Sequence, residues 1–127
     1  MAERILVVDD DEQIRILLQE ALEREGYLVE VAADGEEAVR LFRANPSRLV
    51  VTDIVMPEKE GLETISELRR LSQRVRIIAI SGGGHISPER YLRLASSFGA
   101  DRSFFKPVDL KELTAAVREL LASASDP

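Results

Sequence analysis

Four runs of apolar residues in this chain stop at residues able to do chemistry. Asp9 and Asp10 follow Ile5-Leu6-Val7-Val8, and Asp53 follows Leu49-Val50-Val51-Thr52. Ser81 follows the run from Val75 to Ile80, and Lys106-Pro107 follows Phe104-Phe105. Three carboxylates brought together repel one another. A hard divalent cation relieves that repulsion. Mg²⁺ takes oxygen ligands at about 2.0–2.1 Å and keeps several waters, so a few carboxylates suffice. Asp53 could then be both a ligand and a nucleophile towards phosphorus. The cation and the Lys106 ammonium would neutralise charge on a transferring phosphoryl group. The Ser81 hydroxyl could donate a hydrogen bond to one of its oxygens.

The elements that must carry these residues alternate along the chain. Ile5 to Val8 reads as a strand buried on both faces. Ile14, Leu17, Leu18, Ala21 and Leu22 then recur at helical spacing, and Gly26 stops that helix. Leu28 to Ala32 is a second strand, and Asp34 caps a helix carrying Ala38, Val39, Leu41 and Phe42. Asn45-Pro46 breaks it. Leu49 to Thr52 is a third strand, followed by a loop from Met56-Pro57 to Gly61. The next helix has Leu62, Ile65, Leu68 and Leu71 as its stripe. Val75 to Ile80 is a β-branched fourth strand, and Ser81 to Gly84 a loop. Ser87-Pro88 opens a helix with Tyr91, Leu92, Leu94 and Ala95. Phe104-Phe105 belongs to a short fifth strand. Asp109 caps a last helix with Leu110, Leu113, Ala116, Val117, Leu120 and Leu121, and the tail at 123–127 is expected to fray.

Five strands alternating with five helices predict parallel strands joined by right-handed crossovers. Such a sheet binds ligands beyond the carboxyl ends of its strands. That edge is where the three aspartates, Ser81 and Lys106 should meet.

Composition narrows the function classes. The 127 residues suit one domain, and 45% hydrophobic content suffices for a core. A net charge of -6 with no basic run argues against direct nucleic-acid binding. It favours cations or a basic partner face. The absence of cysteine excludes disulfides and thiolate chemistry. No segment reaches the length of a membrane span, and Ile5 to Val8 lacks the form of a signal peptide, so a cytoplasmic location is expected.

The chain resembles the receiver domains of two-component response regulators. The matching pieces are Ile5 to Asp10, Asp53 to Pro57 with Gly61, Ile80 to Gly82, and Phe105 to Pro107. Each is weak alone, and together, in this order and spacing, they are specific. The resemblance implies a flavodoxin-like, doubly wound (βα)5 sandwich with strand order 2-1-3-4-5. It implies that Asp53 is the phosphoacceptor, Asp10 a direct Mg²⁺ ligand, and Asp9 an acid holding the ion through water. The backbone carbonyl of Val55 would complete the protein ligands. Ser81 matches the switch hydroxyl, Lys106 the family's lysine, and Gly82 the small residue that leaves the phosphoryl pocket open. Pro107 matches a position commonly preceded by a cis bond. The implied donor is a sensor histidine kinase, a phosphotransfer protein or a small donor such as acetyl phosphate. A downstream protein would read the change, and a homodimer through helix four, strand five and helix five is permitted.

Each role has a plainer rival. Asp11 is read as the cap of the first helix, and His85 as an ordinary loop histidine. Two departures from the family pattern stand out. Ser103 occupies the position that usually carries an aromatic switch residue, while strand alternation sends Phe104 to the other face. Gly82 to Ile86 lengthens the loop after strand four, and three glycines make that loop costly to order. The switch is therefore expected to run through Ser81, this loop and helix four. The rival readings are a phosphate-independent interaction module with the same fold, and a true phosphotransferase or phosphatase. The latter would need a second acid, for which Glu12, Glu58 and Glu89 are the candidates. Residues 1–127 read as one receiver domain with no output domain, either stand-alone or excised from a longer regulator.

Overall fold

In the computed structural model, which describes residues 2–54, 58–82 and 87–123, the expected alternation is realised. The elements are β1 (Arg4–Val8), α1 (Glu12–Arg24), β2 (Leu28–Ala32), α2 (Gly35–Ala44), β3 (Leu49–Asp53) and α3 (Glu58–Leu71). They continue as β4 (Arg76–Ser81), α4 (Pro88–Phe98), β5 (Arg102–Phe105) and α5 (Leu110–Ser123). The strands pair in parallel in the order β2-β1-β3-β4-β5.

Alternation along the strands divides the core into two layers. Leu6, Val8, Val50, Ile77 and Ala79 face one way and pack with Ala38 and Phe42 of α2, Ile65 and Leu68 of α3, and Ala95 of α4. Ile5, Val7, Leu49, Val51, Ile78 and Ile80 face the other way, against Leu18 and Leu22 of α1 and Leu113, Ala116, Val117 and Leu121 of α5. The central strands β1, β3 and β4 are thus covered on both faces, which explains their unbroken apolar runs.

The helix starts are set by side chains that satisfy free amides. Asp11 Oδ1 accepts from Gln13 N at 2.9 Å. Asp34 Oδ1 accepts from Glu37 N at 2.8 Å, and Ser87 Oγ from Arg90 N at 3.3 Å. Asp109 Oδ1 accepts from Lys111 N at 2.9 Å and Glu112 N at 3.2 Å. Gly26 follows α1 with φ of 95° and Gly99 follows α4 with φ of 120°, a region side chains avoid.

At the amino ends of the strands the sheet is clamped. Leu28 N donates to Glu3 O, Arg48 N to Arg4 O, Arg76 N to Arg48 O and Asp101 N to Ile77 O. Arg48 binds both carboxylate oxygens of Glu3 at 2.8 and 3.0 Å. Arg69 of α3 donates to the carbonyls of Val75 and Gly99 and to Asp101 Oδ2. That same aspartate oxygen accepts from Ile77 N at 2.8 Å.

Some expectations require correction. The segment from Glu58 to Gly61 is the first turn of α3 rather than loop. Gly61 permits this, because a Cβ there would fall on the backbone of Ile54. Leu17 shares the helical spacing of Leu18, Ala21 and Leu22 but is 50% exposed. It lines an apolar cleft of about 370 Å³ between α1 and the segment after β5. Asp53 and Ser81 are the last residues of β3 and β4, at the strand ends where the sequence puts them. Among the described residues no helix is long and apolar enough to cross a membrane.

Candidate functional site

The register of the parallel strands brings the carboxyl ends of β1, β3, β4 and β5 to one edge. Asp9 leaves β1 with its amide bonded to Ala32 O of β2 at 3.1 Å. Asp53 ends β3, and the next amide, Ile54 N, donates to Ile80 O of β4 at 3.0 Å. Lys106 N donates to Ser81 O at 2.8 Å, which fixes where the lysine leaves β5. The Lys106-Pro107 bond is cis.

These constraints assemble the expected cluster. Asp9, Asp10 and Asp53 each offer an oxygen, and the three oxygens lie within 4.8 Å of one another. Asp9 and Asp53 are buried, at 1% and 3% exposure, while Asp10 is exposed. The Lys106 ammonium donates to Asp53 Oδ2 at 2.9 Å. It also lies 3.1 Å from Asp9 Oδ2, close enough to pair by charge. That second contact lacks hydrogen-bond alignment, so among the described residues Asp9 Oδ2 accepts no hydrogen bond. Ser81 is 2% exposed, and its hydroxyl likewise has no hydrogen-bond partner among the described residues.

The electrostatics follow from burial and proximity. Burial pushes the Asp9 carboxyl above its ordinary value, and the charge of Asp53 adds to this. The Asp11 amide, which donates to Asp9 Oδ1 at 2.9 Å, and Lys106 pull back without prevailing. For Lys106, burial acts to lower the value. The hydrogen bond and charge of Asp53, with the charge of Asp9, outweigh burial and hold the ammonium above its ordinary range. Asp9 Oδ2, paired with Lys106 by charge but accepting no aligned hydrogen bond among the described residues, lies beside two further carboxylates, a hard-oxygen donor set that fits a divalent cation.

Gly82 also has a visible reason. A Cβ at that position would stand 3.0 Å from Cδ of Lys106, so glycine leaves the lysine its path to Asp53. Asp11 is the cap of α1, as read from the sequence. Glu12 and Glu89 are exposed and lie outside the carboxylate group. Phe104 packs with the α1 and α5 layer, Ser103 is partly buried, and Phe105 is 43% exposed. Val55, the stretch from Gly83 to Ile86 with His85, and the side chain of Glu58 lie outside the described residues.

Sequence reasoning missed Arg15. Its guanidinium reaches back from α1 and donates to the carbonyl of Asp9 at 2.8 Å. The signal available was its place on the first turns of the helix that follows the paired aspartates.

Comparison with known proteins agrees with this geometry. Residues 5–118 match the family described as "Response regulator receiver domain". The chain is 41% identical over 125 residues to the response regulator MprA of Mycobacterium sp. (strain KMS), covering 98% of this chain and 53% of that protein. It is 39% identical over 118 residues to the transcriptional regulatory protein CpxR of Klebsiella pneumoniae, covering 93% and 49%. The chain therefore spans about half the length of the curated relatives it matches. Among solved structures, a CheY-like response regulator receiver domain protein from Methanospirillum hungatei superposes with a TM-score of 0.89. The two are 31% identical, with 98% of this chain and 97% of that one covered.

Proposed function

The chain belongs to the response regulator receiver domain family, the receiving module of two-component signalling, and on that premise we propose that Asp53 is its phosphoacceptor. The observation that carries this reading is the ammonium of Lys106, held 2.9 Å from Asp53, which itself belongs to a three-carboxylate cluster. The donor is a phosphohistidine on a sensor kinase or phosphotransfer protein. A carboxylate oxygen of Asp53 bonds to phosphorus, the phosphorus–nitrogen bond breaks, and the departing imidazole takes up a proton from solvent. Lys106 exchanges its carboxylate partner for a phosphoryl oxygen and offsets the charge there. The Ser81 hydroxyl supplies a hydrogen bond to a second oxygen.

Asp10 and Asp53 would hold a Mg²⁺ ion directly, Asp9 through water, and Val55 through its backbone carbonyl. When bound, the ion supplies charge neutralisation at the phosphoryl oxygens.

With Ser103 in place of an aromatic switch, the new state is carried by Ser81, the 82–86 loop and α4. The reader is a downstream protein, or a second copy meeting the face of α4, β5 and α5. Arg90, Arg93, Lys111, Glu112, Arg118 and Glu119 are exposed there. The module promotes only its own phosphoryl transfer and loss, and it works in the cytoplasm.

The test is intact mass after incubation with acetyl phosphate and Mg²⁺, beside Asp53→Asn. A phosphoryl adduct on the wild type alone is expected. No adduct, while another receiver is labelled in parallel, would replace this reading with a phosphate-independent interaction module.

A further inference from the structure

We infer that Arg15 is a positioning residue for the cation site, setting metal affinity through the backbone of Asp9 without touching a ligand oxygen. The inference rests on the reading of Asp9, Asp10 and Asp53 as a Mg²⁺ site. Three bonds fix Asp9 apart from its contact with Lys106. Its amide binds Ala32 O at 3.1 Å, its Oδ1 accepts from Asp11 N at 2.9 Å, and its carbonyl accepts from Arg15 at 2.8 Å. The first belongs to the sheet and the second to the start of α1. Among the described residues only the third fixes the peptide that joins Asp9 to Asp10.

That peptide matters because Asp10 has little else to place it. It is exposed, and among the described residues no hydrogen bond or ion pair holds its carboxylate. Its position beside Asp9 and Asp53 is therefore inherited from the backbone. Arg15 is well sited to hold that backbone. Its own amide is bonded to Asp11 O at 3.0 Å in the first turn of α1, and its side chain is half-buried. A guanidinium bond to a carbonyl is charge-assisted and directional. Groups that orient ligands from behind in this way govern metal affinity even where they make no contact with the ion.

Charge and orientation make opposite predictions here. A guanidinium near a cation site repels the cation, so if charge were all that mattered, neutralising Arg15 would tighten Mg²⁺ binding. If Arg15 positions the ligands, neutralising it loosens binding.

The experiment is calorimetric titration of Mg²⁺ into wild type, Arg15→Met and Arg15→Lys at fixed pH and ionic strength. Melting curves in EDTA run alongside to establish that each variant is folded. Arg15→Met is expected to bind Mg²⁺ about tenfold more weakly. Arg15→Lys, which keeps a donor and the charge, should fall between. In acetyl phosphate labelling, the Arg15→Met defect should lie in the Mg²⁺ concentration required, with the rate at saturating Mg²⁺ within about threefold of wild type. Equal or tighter binding by folded Arg15→Met overturns the inference. Should that variant fail to fold, Arg15→Lys decides by the same titration, and wild-type affinity in it overturns the inference. Absence of Mg²⁺ binding by the wild type overturns the metal reading itself, a result distinct from either.

Discussion

Replacing Lys106 by Met should destabilise the protein without metal and yet strengthen its hold on Mg²⁺. The ammonium stands 2.9 Å from Asp53 Oδ2 and 3.1 Å from Asp9 Oδ2. At an effective dielectric of about 20, each contact carries roughly 5–6 kcal/mol of Coulomb attraction, most of it offset by desolvation. Removing one partner of a buried ion pair typically costs about 3–5 kcal/mol, because the other charge is left stranded. Two features reduce that figure. The Lys106 side chain keeps 21% exposure, so water already screens it. Asp9, whose carboxyl is already pushed up, can take a proton. A loss of about 2–3 kcal/mol in EDTA remains, or about 8–12 °C in Tm for a domain of this size. Mg²⁺ should reverse the order of effects. In the wild type the incoming cation competes with the ammonium for the same two carboxylates, and in the variant it does not. The rise in Tm on adding saturating Mg²⁺ should therefore be larger in Lys106→Met. Labelling by acetyl phosphate at saturating Mg²⁺ should still fall about 100-fold, since a charge-stabilising donor is gone. Thermal melts with EDTA and with Mg²⁺, on both proteins, decide the matter. Equal stability in EDTA, or a Mg²⁺ shift no larger than in the wild type, would refute the reasoning.

Two further outcomes follow from the same geometry. Because the folded Asp9 carboxyl is raised above its ordinary 3.8, the folded state binds more protons than the unfolded chain. Without metal, this group's contribution to stability is full below that value and lost as pH rises through the raised one. Asp9→Asn should therefore be more stable than wild type in EDTA at neutral pH, with the advantage shrinking as pH falls towards 3.8. Denaturant midpoints across that range test it, and a constant difference would count against it. Gly61→Ala should cost about 1–3 kcal/mol, since its Cβ would land on the Ile54 backbone directly after β3. Urea unfolding measures this, and an unchanged midpoint would mean that α3 lifts away freely.

Much of the site was legible because it is built from strand ends. Apolar runs locate β1, β3 and β4, and the parallel-sheet rule alone puts Asp9, Asp53, Ser81 and Lys106 on one edge. Helix caps were legible for a similar reason, since Asp11, Asp34, Ser87 and Asp109 act on amides two or three residues away. Long-range closure was not legible. The bonds from Arg69 to Gly99 and Asp101 join residues 30 and 32 positions apart, and no local pattern announces them. Leu17 has the right helical spacing for burial, but nothing in the described residues covers that side of α1. Gly61 looked like a loop residue, whereas its role is to let a helix start against a neighbouring backbone.

The two ends of the sheet do opposite jobs. Carbonyls, amides and opposite charges are matched at the amino ends, around Glu3, Arg48, Arg69 and Asp101. At the other end three carboxylates are crowded together, two of them paired with one ammonium. The end that carries the candidate site is thus not the end that ties the strands to one another. Neutralising Asp9 relieves repulsion at this edge, whereas removing Asp53 would take from the Lys106 ammonium its nearer partner. The fold therefore identifies the family, and the use of this edge has to be read from the five side chains at its rim.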